Sequence, residues 1–489
     1  MIKWFVILFC AALWSTLLCE ERETRIVQIS QGPVRGYKDP EHGVYTFFGI
    51  PYATAPTGPD RYKAPLPGPS WLTPFDADND RIICLQATVP LYEPFYKNFD
   101  MQQNCLIANV YVPDTSEKNL PVLVVVHGGS FQVGSGNLLK PKHLVKSHNI
   151  IVVTFNYRLG ILGFLCLGTP NAPGNAGMKD QVALLRWVQN NIAKFGGNSN
   201  DVTISGYSAG SGSVELLMLS SLAKGLFKKV IAESGSALAS LAVQTDPLDN
   251  ARQFAKRYVG HIDDAYALEE FYKNASFEIL TSDGFSFVKD SSLFSPCVEG
   301  DVGEEIFLAD SPYNILKSGN YEKLPLLVGF TDREGLLQIA IFDLWKNDMN
   351  KNFSEFLPRD LQFKNKEEKE KIAKEIKEFY FGNKTIGDDT ILSYVDYFTD
   401  VIFTHPALKA VQYHVRAGNK VYLYQYNYVD ELTPVIPHTE VKGANHVAQS
   451  FAVFDGLLSS NITENFLPEN YKKHKAVIRQ LWSNFIKKG

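Results

Sequence analysis

The sequence predicts an α/β protein built on a large, mostly parallel central sheet flanked by helices. Three observations carry that expectation. Apolar runs of strand length alternate along the chain with stretches of helical periodicity. One apolar run leads straight into a serine bracketed by glycines and then into a helical stretch. The 489 residues, 45% hydrophobic and 21% charged, suffice for a large core.

The strand candidates, in order, are residues 122–126, 150–156, 202–205, 326–329 and 421–426. Each is a short apolar run of the kind a buried strand needs. Helices are expected at 180–193, where Val182, Leu185, Val188 and Ile192 share a face, and at 211–219. Later ones are expected at 406–415 and at 474–487, where Val477, Ile478, Leu481, Trp482 and Phe485 form a stripe. The charge-dense run 365–377, with Ile372, Ile376 and Phe379 at helical spacing, reads as a solvated helix face without a function of its own. The chain has no internal repeat, low-complexity tract or long linker, so residues 20–489 are expected to form one domain.

Residues 1–19 read as a signal peptide. Lys3 gives a short positive region, an apolar run follows over 4–18, and Glu20, Glu21 and Arg22 end it. The run is short for a bilayer span of about 20 residues. Secretion is therefore expected, with no stable membrane span once the leader is removed. Four N-x-S/T sequons, at Asn274, Asn352, Asn383 and Asn461, agree with export. Of six cysteines, Cys10 and Cys19 leave with the leader. Cys84, Cys105, Cys166 and Cys297 remain, in a compartment that permits disulfides and with three pairings open. Cys166, inside an apolar stretch, also suits the role of a small buried hydrophobe. None of the four has metal-ligand spacing, so no metal is expected. The formal net charge of -5 is mild and gives no basis for binding nucleic acid or an anionic membrane.

The chemistry centres on Asp201-Val-Thr-Ile-Ser-Gly-Tyr-Ser-Ala-Gly210. A strand running into G-x-S-x-G and then a helix is the context of a nucleophile elbow. Gly206 and Gly210 leave room for the tight turn, which would hold Ser208 strained, with its hydroxyl above the sheet. A second strand ends in His127-Gly-Gly-Ser-Phe131. A glycine-rich turn there lets backbone N–H groups face a developing oxyanion, and Gly129, Ser130 and Ala209 are the expected donors. His127 is expected to brace that loop and not to act as a base.

A serine hydroxyl needs a base, and α/β-hydrolases order their triad Ser, acid, His. Downstream histidines are His405, His414, His438, His446 and His474. His405, His414 and His474 fall in helical patterns. His438 and His446 lie in the loop after the last strand candidate, and His446 sits in the small-residue turn Lys442-Gly-Ala-Asn-His446. The acid is Glu334 or the nearby Asp332, both just after the strand at 326–329. The residues alone leave that pair open.

At this point the chain resembles the type-B carboxylesterases, the family of cholinesterases and insect juvenile hormone esterases. The resemblance covers everything after the leader. It rests on Phe48-Gly-Ile-Pro-Tyr-Ala53, Asn109-Val-Tyr-Val-Pro113, Asn156-Tyr-Arg-Leu-Gly160 and Phe195-Gly-Gly-Asn198. The two glycine-rich turns, Glu233-Ser-Gly-Ser236, Glu334-Gly335 and Gly443-Ala-Asn-His446 complete it. The resemblance implies the α/β-hydrolase fold and hydrolysis of small-molecule carboxylic esters with no cofactor. It selects Glu334 and His446 as partners of Ser208, implies a Cys84–Cys105 disulfide, and matches Ser234 to a serine that hydrogen-bonds near the triad.

The chain departs from the family at Tyr207, where many relatives carry an acidic residue or, in juvenile hormone esterases, Gln, and at Gln103-Asn104 and Val447-Ala-Gln-Ser450, where relatives usually carry acidic residues. The family also extends further at its C-terminal end. The 84–105 loop holds Tyr92, Phe95, Tyr96 and Phe99 but no Trp, which argues against a choline platform. Tyr207 argues against a juvenile hormone esterase. The reading that remains is a secreted esterase for lipophilic esters: odorant, hormone-like, dietary or xenobiotic. The alternative is a catalytically weak or inactive adhesion protein of the same fold, and the presence of all three triad residues speaks against it.

Overall fold

The computed structural model describes residues 22–88, 97–282, 294–455 and 464–489. The leader at 1–19, Tyr92, Phe95, Tyr96 and Asn461 lie outside the described residues.

Ten strands carry the fold: β1 Thr24–Ile29, β2 Gly32–Lys38, β3 Val44–Pro51, β4 Ile107–Pro113, β5 Leu120–Val126, β6 Ile151–Phe155, β7 Gly197–Tyr207, β8 Lys229–Glu233, β9 Leu326–Thr331 and β10 Val421–Tyr426. They form an eleven-stranded sheet in the order β1-β2-β3-β4-β6-β5-β7-β8-β9-β10, with the two-residue strand Phe75–Asp76 beside β2. All five strand candidates fall in the half from β6 to β10, where every pair is parallel. The other flank, β1 to β4, is antiparallel and makes the sheet mixed. Only two residues separate β1 from β2, too few for a parallel crossover.

From β6 through β9 both faces of the parallel half are covered, which keeps those strands largely apolar, whereas the edge strand β10 is mostly exposed. Val122, Val124 and Val126 of β5 join the core on one face with Val202 and Ile204. Leu123 and Val125 point the other way, toward Ile231, Leu327 and Trp482. A third cluster, around Trp345, Tyr394 and Phe398, lies among the later helices.

The helices that matter for the site are α1 Ala176–Asn191, α2 Ala209–Leu219, α3 Lys366–Phe381, α4 Ile391–Phe398, α5 His405–Arg416, α6 Ala448–Val453 and α7 Glu469–Lys488. The charged run is indeed a helix, α3, but Phe379 is 80% exposed and Ala373 is buried in its place. Between α4 and α5, Thr399–Thr404 widen into a π turn. Among the described residues no helix is long and apolar enough to cross a membrane.

Among the described residues two disulfides close the chain, Cys84–Cys105 and Cys166–Cys297. Cys166 is therefore buried as expected, but as a cystine. The second bridge ties the segment after helix Gly160–Phe164 to a segment 131 residues away.

Candidate active site

Ser208 sits between the end of β7 and the first residue of α2, with φ 57° and ψ -125°. A side chain other than glycine pays for such a backbone in strain. Neighbouring groups enforce it. The Ser208 N–H donates to the Glu233 carbonyl at 2.8 Å, and its own carbonyl accepts from Ser211 N at 2.9 Å. A Cβ at Gly206 would fall 2.0 Å from the Gly210 carbonyl oxygen, and one at Gly210 would fall 2.2 Å from that of Val126. The turn therefore closes only with glycine at both positions.

The loop after β5 packs on this elbow. A Cβ at Gly128 would stand 2.9 Å from that of Ser208. Gly129, Ser130 and Phe131 follow with φ 112°, 54° and 62°, a run that turns successive amides the same way. The Gly129 carbonyl accepts from Gln132 N and Val133 N, which closes the turn. Among the described residues, the N–H groups of Gly129, Ser130 and Ala209 donate to no protein acceptor. His127 braces the loop, with Nδ1 2.8 Å from the Gly128 carbonyl and its ring stacked on Tyr157 at 4.3 Å. Burial pushes its pKa down to about 4, so it is neutral at neutral pH.

Glu334 opens the short 3₁₀ helix Glu334–Ile341 directly after β9 and is wholly buried. Its Oε1 accepts from Thr331 N at 2.7 Å, and its Oε2 lies 2.5 Å from His446 Nδ1. Asp332 takes a different position: its Oδ1 accepts from Ala444 N at 2.9 Å and holds the loop that carries His446. The other downstream histidines are engaged elsewhere. His438 is half-exposed near Asp388, and His405 heads α5. His414 is buried against Glu215 and Tyr321, and His474 stacks on Tyr428 at 3.8 Å. The His446 Nε2 is buried and makes no hydrogen bond to the protein.

The helix that follows His446 is held from outside. Lys475 of α7 donates to the Phe451 and Phe454 carbonyls, each at 2.8 Å, and Arg479 donates to the Val453 carbonyl at 2.9 Å. These cations satisfy the carbonyl end of α6. Arg479 also pairs with Asp455 and Glu464. Those two acids and His143 bring three ligand-type atoms within 4.8 Å of one another, but the guanidinium already supplies the positive charge there.

A cavity of about 50 Å³ opens at the elbow. Ser208, Ala209 and Ser130 line it, and Leu337, Ile402 and Phe403 give it an apolar wall. The Phe403 ring stands 4.6 Å from the His446 ring, and His446 is not itself among the residues that line the cavity. Leu337 comes from the turn begun by Glu334, and Ile402 and Phe403 come from the π turn. These wall residues carry no signal in the sequence, because a π turn breaks helical periodicity without leaving a motif.

The profile described as Carboxylesterase family matches residues 23–489. The chain belongs to the carboxylesterase family. The esterase is 31% identical to Esterase FE4 of Myzus persicae, covering 97% of this chain and 86% of that protein. It is 33% identical to the Juvenile hormone esterase of Heliothis virescens, over 99% of this chain and 88% of that one. Among solved structures it matches juvenile hormone esterase from Manduca sexta, which has OTFP covalently attached, with a TM-score of 0.86 and 30% identity over 95% of this chain and 90% of that one. The esterase thus has the α/β-hydrolase fold and is a carboxylic ester hydrolase acting on small-molecule esters.

Proposed function

We propose that this esterase is a secreted serine hydrolase of lipophilic esters that works through an acyl-enzyme on Ser208. One observation carries the reading. Ser208, Ser130 and Ala209, the last two with unpartnered N–H groups, line one apolar-walled cavity whose Phe403 packs on the Glu334-bound imidazole.

In this mechanism His446 Nε2 takes the hydroxyl proton of Ser208 as the oxygen attacks the ester carbonyl. Glu334 keeps the proton on Nδ1 and stabilises the imidazolium. The N–H groups of Gly129, Ser130 and Ala209 hold the oxyanion, each donor contributing about 2.7–4 kcal/mol to the transition state. The alcohol leaves with the proton from His446. Water then attacks the acyl-enzyme by the same route, returning the acid and free Ser208. Every step uses protein groups and water. The covalently attached OTFP on the Manduca sexta relative supports covalent chemistry in this fold.

The apolar wall favours lipophilic esters, whether odorant, hormone-like, dietary or xenobiotic. Two disulfides support passage through an oxidising compartment, with residues 1–19 as the leader and 20–489 as the catalytic domain. A fluorophosphonate probe tests the mechanism: it labels the wild type and leaves Ser208→Ala unlabelled. An unlabelled wild type refutes it. A panel of short, long-chain, choline and juvenile hormone esters then ranks the substrates.

A further inference from the structure

Gln338 lines the cavity at Ser208, and the reaction above gives it no task. The residue is only 1% exposed. Its side-chain Oε1 is buried and accepts no hydrogen bond. Its backbone carbonyl, by contrast, accepts from the Tyr394 hydroxyl at 3.1 Å. A buried acceptor without a donor is costly, and native structures leave few of them. The neighbouring hydroxyls of the wall are engaged. Ser234 Oγ accepts from Gln449 Nε2 at 2.7 Å, and Ser236 Oγ accepts from Leu238 N at 3.1 Å.

The backbone around Gln338 is fixed. It belongs to the 3₁₀ helix that Glu334 opens. Gly335 N donates to Thr399 Oγ1 at 2.9 Å, and a Cβ at Gly335 would fall 2.1 Å from the Val395 carbonyl oxygen. One short helix, pinned against α4, therefore carries both the acid that holds His446 and the amide in the cavity wall.

The mechanism tells which half of an ester the cavity receives. The leaving alcohol takes its proton from His446, so it must lie against the imidazole. His446 does not line the cavity, whereas Ser208 does. The acyl chain is the half that enters. The cavity measures about 50 Å³. One water needs about 10–15 Å³, so the space suits roughly four heavy atoms beyond the carbonyl. No charged residue lines it, so a cationic donor would be buried without a counter-charge. A hydroxyl is the smallest neutral donor that Oε1 can accept from.

We propose that Gln338 selects esters whose short acyl chain carries a hydroxyl group, which donates to its Oε1 inside the cavity. Gln338 is thus a specificity residue, and the proposal rests on the acyl-enzyme reading above and narrows its substrate class. An acyl chain without the hydroxyl leaves the amide oxygen unpaired in a closed, apolar-walled space.

The test uses p-nitrophenyl 3-hydroxybutyrate and p-nitrophenyl butyrate, which share a leaving group and differ by one acyl hydroxyl. Rates are divided by those of alkaline hydrolysis to remove the intrinsic difference. The wild type is expected to favour the hydroxy ester, for at least one enantiomer, by roughly tenfold or more in kcat/KM. In Gln338→Met, unbranched and of similar volume, the ratio is expected to fall to about one. Gln338→Leu repeats the comparison, and melting curves show that each variant is folded. A wild-type ratio near one, or a preference that survives in a folded variant, overturns the proposal. The ketones 4-hydroxypentan-2-one and pentan-2-one carry the same two chains without a leaving group, so the melting shift they cause reads binding without turnover. Hydrolysis of neither ester defeats the serine mechanism, and the ketones still decide the role of Gln338. A larger shift with the hydroxy ketone, lost in Gln338→Met, upholds it; equal shifts in the wild type overturn it.

Discussion

Phe403 packs its ring 4.6 Å from that of His446, tilted by 44°, and also lines the cavity at Ser208. One side chain thus packs on the imidazole and limits the room beside Ser208. Phe403→Ala is expected to cost about 3 kcal/mol of stability, at the low end for a large aromatic because the side chain already borders a cavity. The enlarged cavity is expected to raise kcat/KM for bulky acyl groups relative to acetyl. Thermal unfolding and an acyl-length series check both, and an unchanged chain-length preference would remove Phe403 from the specificity argument.

Glu334 accepts from the Thr331 N–H with one oxygen and faces His446 Nδ1 with the other. In Glu334→Gln the amide oxygen keeps the backbone bond, so the amide nitrogen confronts Nδ1 and drives the ring proton to Nε2. That is the wrong tautomer for a base. A loss on the order of 10⁴-fold in kcat is expected, with KM and melting temperature little changed. Steady-state kinetics beside a melting curve separates this from simple unfolding; a variant within tenfold of the wild type would refute the role.

Lys475 is almost fully buried, and burial, together with the neighbouring Arg479, pushes its pKa down to about 8. An unfolded lysine titrates near 10.4. Between those values the folded chain binds fewer protons than the unfolded one, so this group adds stability as pH rises through the window. The stability difference between wild type and Lys475→Met is therefore expected to grow in favour of the wild type from about pH 8 to about pH 10. Urea unfolding at both ends of the range measures it, and a pH-independent difference contradicts the assignment.

The sequons differ in what surrounds them. Asn274 and Asn383 are exposed. Asn352 is held between Glu355 and Ser354, and the Phe353 and Ser354 of its sequon are buried. Expressed through a secretory pathway, the protein is expected to carry glycans at Asn274 and Asn383 and little or none at Asn352. Site-by-site mass spectrometry before and after deglycosylation reads this; full occupancy at Asn352 would mean that its surroundings form after glycan transfer.

The elbow was legible in the sequence because its geometry tolerates so few residues. Gly206 and Gly210 are dictated by backbone oxygens only 2.0 and 2.2 Å from where a Cβ would stand. The parallel strands were legible because burial on both faces leaves unbroken apolar runs. The strands β1 and β2 escaped notice, as partly exposed strands dilute that signal, whereas β3, β4 and β8 are buried and escaped because polar residues or glycine cut their apolar runs short. Asp332 and Glu334 could not be told apart from local residues, since both follow β9 and only the three-dimensional path of the 442–446 loop assigns one to Ala444 N and the other to His446. Phe403 was silent because it sits in an irregular helix turn, which leaves no periodic signal.

The grip of α7 on α6 has a consequence for the order in which the molecule is made. Ser208 and its amide cradle emerge from the ribosome long before His446, and the helix that follows His446 is held by Lys475 and Arg479, later still. On the proposed mechanism, a nascent chain that has released residues 206–210 but not yet residue 479 would hold the elbow without its seated base, so ester cleavage is expected only after translation has passed through the last helix.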